Sequence, residues 1–247
     1  MVCGGYDFYA RDDCVGMDLE TGQWSTLGRT ASHRTDHTSW LTPGAPGGLM
    51  LIGGDYDYEN STEMFSLEEG TSSPHYELQY SGRGACLIPD DTTGTFILTS
   101  GTDVSRYDSE GWVEALPRME QFRNWHGCGS YQAESGQMIL LVAGGWDMTQ
   151  LSFVSSVETL TLGASSWNFA EPLPRKMSNL GSASMDNKIF MLGGYNREGF
   201  DSMTYADVLQ WEPSSPGWKK VGEMLEPTDS LAVSPIELNE KLLEICR

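Results

Sequence analysis

A chain of 247 residues with 35 Asp and Glu against 15 Lys and Arg carries a net charge of −20, a field that repels nucleic acid and anionic membrane surfaces and favours basic partners. No run approaches the roughly 20 apolar residues of a membrane helix, so no membrane insertion is expected, and the length suffices for one domain with a sizeable core. The 28 Gly and 11 Pro, spread without low complexity, point to many turns and hence many short strands.

The chain opens on an apolar run of strand length that ends in a glycine pair, MVCGG, the pair being Gly4 and Gly5. An amphipathic segment, CVGMDLET, follows, and then a Trp-bearing one, TGQWSTL, with Trp24. A small-residue strand, DHTSWLTP, leads into LMLIGG with Gly53 and Gly54; after TEMFSLEE, Tyr76 in SPHYELQY stands where a Trp is expected. GRGACLIPD leads into TFILTSG, where Ser100 replaces the first glycine and Gly101 remains; VSRYDSE and Trp112 in EGWVEALP follow. HGCGSYQAE leads into ILLVAGG with Gly144 and Gly145, then SSVETLTL and Trp167 in SSWNFAEPLP. LGSASMDN leads into KIFMLGG with Gly193 and Gly194, then ADVLQWEP and Trp218 in PGWKKVGEM.

The first positions of the pairs, 4, 53, 100, 144 and 193, lie 49, 47, 44 and 49 residues apart. Each unit reads as four short strands, and the first sign of a helix is ELNEKLLEICR at the C-terminus. A period in the forties with four strands per unit predicts an all-β chain folded as a β-propeller. Glycine at the strand end allows positive φ and close backbone approach, the Trp is expected to fill space between stacked sheets, and small residues suit the strand nearest the axis.

The glycine pairs, the downstream Trp and the Arg-bearing segments HRTDH, SGRGAC and FRNWHGC resemble Kelch repeats over nearly the whole chain. The resemblance implies a four-stranded blade per repeat and a general role in protein interaction, without naming a partner. Five repeats are visible, in a ring of five or six blades. The first unit begins on its second strand, and the matching innermost strand is expected at about 229–237, in DSLAVSPIE, leaving 238–247 as a tail. That strand either completes the first unit in a five-bladed ring over residues 1–237 or belongs to a six-bladed ring that lacks an upstream blade; the second is favoured.

Cys3 and Cys14 flank one hairpin of the first unit and are placed either to bridge, worth about 3 kcal/mol in the chain-entropy model, or to lie as two buried thiols. Asn60-Ser61-Thr62 is an N-glycosylation sequon in an expected exposed loop, and the Cys3 and Cys14 arrangement resembles that of secreted invertebrate Kelch-type proteins. The N-terminus reads as no signal peptide, which suits the cytoplasm, whereas a missing upstream segment would suit an oxidising, extracellular setting.

Catalytic signatures are sparse. His33 and His37 would share a strand face too far apart for one metal, and His126-Gly127-Cys128 has no second ligand pair, so neither metal nor cofactor is expected. Arg34, Arg83 and Arg123 precede three inner strands, and Arg pairs bidentately with carboxylates. They support a carbohydrate- or sialic-acid-processing enzyme as one alternative to a non-catalytic protein-binding module; an actin-associated cytosolic scaffold is another.

Strand parity places the loops after the glycine pairs on one end of the ring. These loops, YDFYARDD, DYDYENS, WDMTQLS and YNREGFDSM, are rich in aromatics and acids. Tyr6, Tyr56, Trp146 and Tyr195 keep a fixed repeat phase, which also suits packing; the expected partner contacts are Phe8, Tyr9, Asp57, Tyr58, Trp146, Arg197 and Phe200. The partner expected is a protein of basic character.

Overall fold

The computed structural model describes residues 1–7, 9–42, 48–55 and 58–233, apart from the side chains of Asp7, Ser215 and Pro216. Phe8, Tyr56, Asp57, Cys246, the end of the expected closing strand and the C-terminal tail therefore lie outside the described residues.

The first unit holds β1 (Val2–Cys3), β2 (Tyr6–Asp7), β3 (Tyr9–Met17) and β4 (Trp24–Arg34); β3 pairs with β1 and β4, and β2 makes a short hairpin with the start of β3. The second unit is β5 (Thr38–Leu41), β6 (Gly48–Ile52), β7 (Ser61–Ser66) and β8 (Thr71–Glu77), paired in chain order. The third is β9 (Cys86–Asp90), β10 (Thr95–Ser100), β11 (Asp103–Asp108) and β12 (Gly111–Ala115). The fourth comprises β13 (Gly127–Gln132), β14 (Met138–Ala143), the hairpin β15 (Trp146–Asp147) and β16 (Ser152–Phe153), then β17 (Val157–Thr161) and β18 (Asn168–Ala170). The fifth comprises β19 (Gly181–Met185), β20 (Lys188–Leu192), the hairpin β21 (Tyr195–Glu198) and β22 (Asp201–Thr204), then β23 (Asp207–Glu212) and β24 (Ser215–Glu223). Units two to five are thus four-stranded antiparallel blades, as a β-propeller requires.

The inner strands β5, β9, β13 and β19 stand side by side, and the core lies between neighbouring blades. Leu49, Leu51 and Phe65 of the second unit pack on Cys3 and Cys14 of the first. Met50 and Ile52, on the opposite face of the same strand, pack on Phe96, Leu98 and Tyr107 of the third. A strand buried on both faces needs apolar residues without alternation, which is why the second strand of each unit reads as a continuous hydrophobic run. Each such Leu, Ile or Phe contributes about 1.5–3 kcal/mol.

The glycine pairs are explained by what comes next in the ring. Gly4, Gly53, Gly144 and Gly193 all have φ between 63° and 67°. A Cβ at Gly4 or Gly144 would lie 2.6 Å from the carbonyl oxygen of Arg34 or Met177, in the segment that leads into the following blade. Ser100 departs from the pattern because β10 continues through it to Asp103, its partner across a two-residue turn, so the bend falls on Gly101 at φ 62°.

Three expectations are revised. First, Trp24 and Trp112 do not fill space between sheets; they stand on outer strands, 57% and 49% exposed. Beside Trp112 the space is taken by Tyr107, opposite it in register, which stacks at 6.0 Å on Tyr76 of the second unit. Trp167 does pack inside, and its indole N–H donates to Pro117 O at 2.7 Å; Trp218 lies 5.6 Å from Trp211. Second, units one and two are not separate sheets. The eleven-residue β4 meets β8 in a parallel contact at Arg29 and Thr71, secured by Arg29 N–H to Gly70 O at 3.0 Å. Third, residues 229–233, the described part of the segment expected to close the ring over about 229–237, do not form a strand, although Leu231 and Val233 pack on Gly181 of β19.

Candidate functional site

Each segment leading into an inner strand contains one residue in the left-handed region, Asp36, Gly84, Trp125 and Asn179, and Ser230 after the fifth unit shares it, with φ from 53° to 56°. Gly, Asn and Asp tolerate this conformation, whereas a Trp there is an outlier that its surroundings must hold. The backbone links the last four in series: Trp125 N–H donates to Gly84 O at 2.8 Å, Asn179 N–H to Trp125 O at 2.7 Å, and Ser230 N–H to Asn179 O at 3.0 Å. Burial pushes the Asp36 carboxyl above the usual carboxylate range, and the charges of Asp55 and Asp229 push the same way against Arg83. Asp229 of the last such segment therefore lies within electrostatic reach of Asp36 of the first. Asp36, Asp55 and Asp229 thus lie near one another, with Arg83 paired to Asp55 among them.

The arginines of the same segments are committed to structure. Arg34 is buried and bonds Glu63 Oε1 at 2.8 Å, Gly53 O at 2.6 Å and Ser61 Oγ at 2.8 Å. Arg123 repeats the arrangement, bonding Glu158 Oε1 at 2.6 Å, Gly144 O at 2.8 Å and Ser156 Oγ at 3.0 Å. Arg83 instead pairs with Asp55 at 2.8 Å and lies over the Trp125 ring at 5.3 Å. All three expected arginines are thus held by protein groups, and they do not converge as a free carboxylate clamp. The fifth unit carries Met177 and Leu209 at the positions of the Arg and Glu, both in its apolar core.

His37 and His126 sit three residues after Arg34 and Arg123, an Arg-x-x-His spacing that recurs in units two and four. His126 Nε2 is bonded to Thr99 Oγ1 at 2.7 Å. Burial, helped by the nearby arginines, pushes His37 down to about 4 and His126 to about 3. Both are neutral in the folded chain, while the unfolded chain takes up their protons below about pH 6.5. Stability is therefore full above pH 7 and falls as the pH drops from about 6.5 towards 4. The His126 contribution lost by pH 5 is about 2 kcal/mol, and His126→Gln is expected to flatten the dependence of the melting temperature on pH between 7 and 5. An unchanged slope in that variant would refute the assignment. Among the described residues no three His, Cys, Asp or Glu side chains gather to hold a metal ion.

The loops after the glycine pairs share one end, because Gly5, Gly145 and Gly194 each donate a backbone N–H to the segment leading into the next blade. Among the expected contacts, Tyr9 is 81% exposed and Phe200, at the tip between β21 and β22, is 100% exposed. Arg197 is also exposed on β21. Trp146 is half-buried, 4.7 Å from Phe153, which in turn lies 5.6 Å from Tyr195, so these rings tie the loop of unit four to that of unit five. Tyr58 is half-buried, its ring 5.2 Å from the Arg34 guanidinium. In unit three the two-residue turn leaves no comparable loop.

Cys3 and Cys14 form a disulfide. A second disulfide, Cys86–Cys128, joins β9 to β13 across the third and fourth blades and was not expected. Its available signal was that both cysteines occur at the start of small-residue strands in successive repeats. Asn60 is exposed at a turn, while Thr62 of its sequon donates its hydroxyl proton to Tyr76 O at 2.5 Å.

No family profile matches the chain. A stretch of 99 residues, 39% of this chain, is 31% identical to the Kelch repeat and BTB domain-containing protein 1 of cowpox virus and of vaccinia virus strain Copenhagen, and to the Kelch repeat and BTB domain-containing protein A55 of vaccinia virus strain Western Reserve. It spans 17% of the length of those relatives. The solved structure of YjhT superposes with a TM-score of 0.69 over 92% of this chain and 85% of that one, at 12% identity, a likeness of fold.

Proposed function

We propose that this Kelch-type β-propeller is a non-catalytic binding module that presents the loops after its glycine pairs to a protein partner. The observation that carries this reading is the exposure of Tyr9 and Phe200 on hairpins anchored to a rigid ring, since exposed aromatics on a fixed scaffold are the usual anchors of interfaces. The likeness to Kelch-repeat proteins supports protein interaction. A basic partner suits the net charge of −20 and the proximity of Asp36, Asp55 and Asp229. The carbohydrate-processing alternative is weakened by the commitment of Arg34 and Arg123 to Glu63 and Glu158. The two disulfides and the exposed Asn60 sequon support an oxidising compartment.

Tyr9→Ala and Phe200→Ala are each expected to weaken binding of a cross-linked and identified partner by about thirtyfold, the effect of losing an interface anchor, with the melting temperature unchanged. Trp112→Ala, on an outer strand, is expected to leave binding intact. Full binding by both loop variants would overturn the reading.

A further inference from the structure

Ten of the 13 described Lys and Arg side chains form ion pairs, as expected where acids outnumber bases more than two to one. Among the described residues the three that do not are Lys176, Lys188 and Arg197. Lys188 begins β20, at the end of the blade away from the glycine pairs. Lys176 and Arg197 line the same cleft, between the β15–β16 hairpin of unit four and the β21–β22 hairpin of unit five.

The cleft has a volume of about 250 Å³. Trp146, Leu151 and Phe153 supply an apolar wall, and Glu198 is the one acid among its lining residues. It is thus locally cationic within a chain of net charge −20. Leu151 is held in the left-handed region at φ 51° and is largely exposed. For a bulky residue this conformation is strained, and such strain persists only where the surroundings impose it. Here the Asp147 carboxylate imposes it by accepting Thr149 N–H at 2.8 Å and Gln150 N–H at 3.0 Å. The volume falls below the 300–1,000 Å³ usual for small-molecule sites and suits one or two side chains.

We propose that this cleft seats an acidic, apolar peptide segment of the partner, with a carboxylate between Lys176 and Arg197 and a neighbouring aliphatic side chain against Leu151 and Phe153. The assignment rests on the loop-face reading above and adds a local inversion of charge to it. Long-range attraction brings in a basic partner, and the cleft selects the one acidic stretch that can dock. Cations without an ion pair beside an apolar wall are complementary to that pairing of groups.

The test is fluorescence anisotropy with the intact chain and a labelled peptide of alternating Glu and Leu. Saturable binding is expected, weakened at least tenfold by Lys176→Glu together with Arg197→Glu and at least tenfold when Gln replaces Glu in the peptide. Lys188→Glu, an unpaired cation at the far end of the blade, is expected to leave binding unchanged. Circular dichroism and melting temperature verify that the variants remain folded. Absence of saturable binding, equal binding of the Gln peptide, or an equal effect of Lys188→Glu overturns the cleft assignment. In those cases partner binding that remains sensitive to Tyr9→Ala and Phe200→Ala keeps the loop-face reading, and insensitivity to both removes it as well.

Discussion

Arg123→Met is expected to lower the free energy of unfolding by about 3–5 kcal/mol, because it leaves the fully buried Glu158 carboxylate without its cation. The arginine also donates to the carbonyls of Gly144 and Ser156, so its removal takes a donor from both ends of the loop that follows the glycine pair. The chain contains its own control. The fifth unit places Met177 and Leu209 where the fourth has Arg123 and Glu158, and both are buried in its core. Arg123→Met combined with Glu158→Leu is therefore expected to recover part of the loss. Recovery stays incomplete because Glu158 also accepts the backbone N–H groups of Glu120, at 2.7 Å, and Gln121, at 3.2 Å. Urea denaturation of the single and double variants measures both effects. A double variant less stable than Arg123→Met alone would show that the two repeats do not interchange at this place.

Removing the Cys86–Cys128 bridge by Cys86→Ala with Cys128→Ala is expected to cost about 4 kcal/mol in the chain-entropy model, since the bridge closes a loop of 42 residues between the inner strands of two blades. The bridge between Cys3 and Cys14 closes only 11 residues, for which the same model gives about 3 kcal/mol. Reductant is expected to destabilise the wild-type chain and to have a smaller effect on the Cys86→Ala and Cys128→Ala variant, where one bridge is already gone. A wild-type melting temperature indifferent to reductant, under conditions where thiol titration shows both bridges open, would contradict this.

The blade pattern was legible because it depends on local requirements repeated at a constant interval. A strand buried on both faces must be apolar, and the turn after it must admit positive φ, so KIFMLGG and ILLVAGG announce themselves. The candidate functional end was legible only in outline. Parity places the loops on one end, but the exposure of Phe200 and the half-buried state of Tyr58 depend on which neighbour reaches them. Arg34 and Arg123 read equally well as substrate clamps or as structural partners until Glu63 and Glu158 are seen beside them. Those glutamates lie 29 and 35 residues downstream in otherwise apolar strand pairs, where a buried carboxylate is visible as an interruption but its partner is not. Trp24 and Trp112 show the opposite failure: the residue type suggested burial, and at Trp112 the space is taken by Tyr107 of the same blade stacked on Tyr76 of the preceding one.

The contact between each glycine pair and the segment leading into the following blade gives the ring a direction of dependence. The backbone at the base of a unit's outer loop is braced both by the segment leading into its own blade and by the one leading into its successor. The β15–β16 hairpin of unit four thus stands on Met177 of unit five, and the β21–β22 hairpin stands on Thr228 beyond it. Damage to a blade should accordingly propagate backwards along the chain, loosening the loop that precedes it. Lengthening a hairpin at its tip disturbs none of these braces, so the tips can diverge in sequence while the ring beneath them keeps its form.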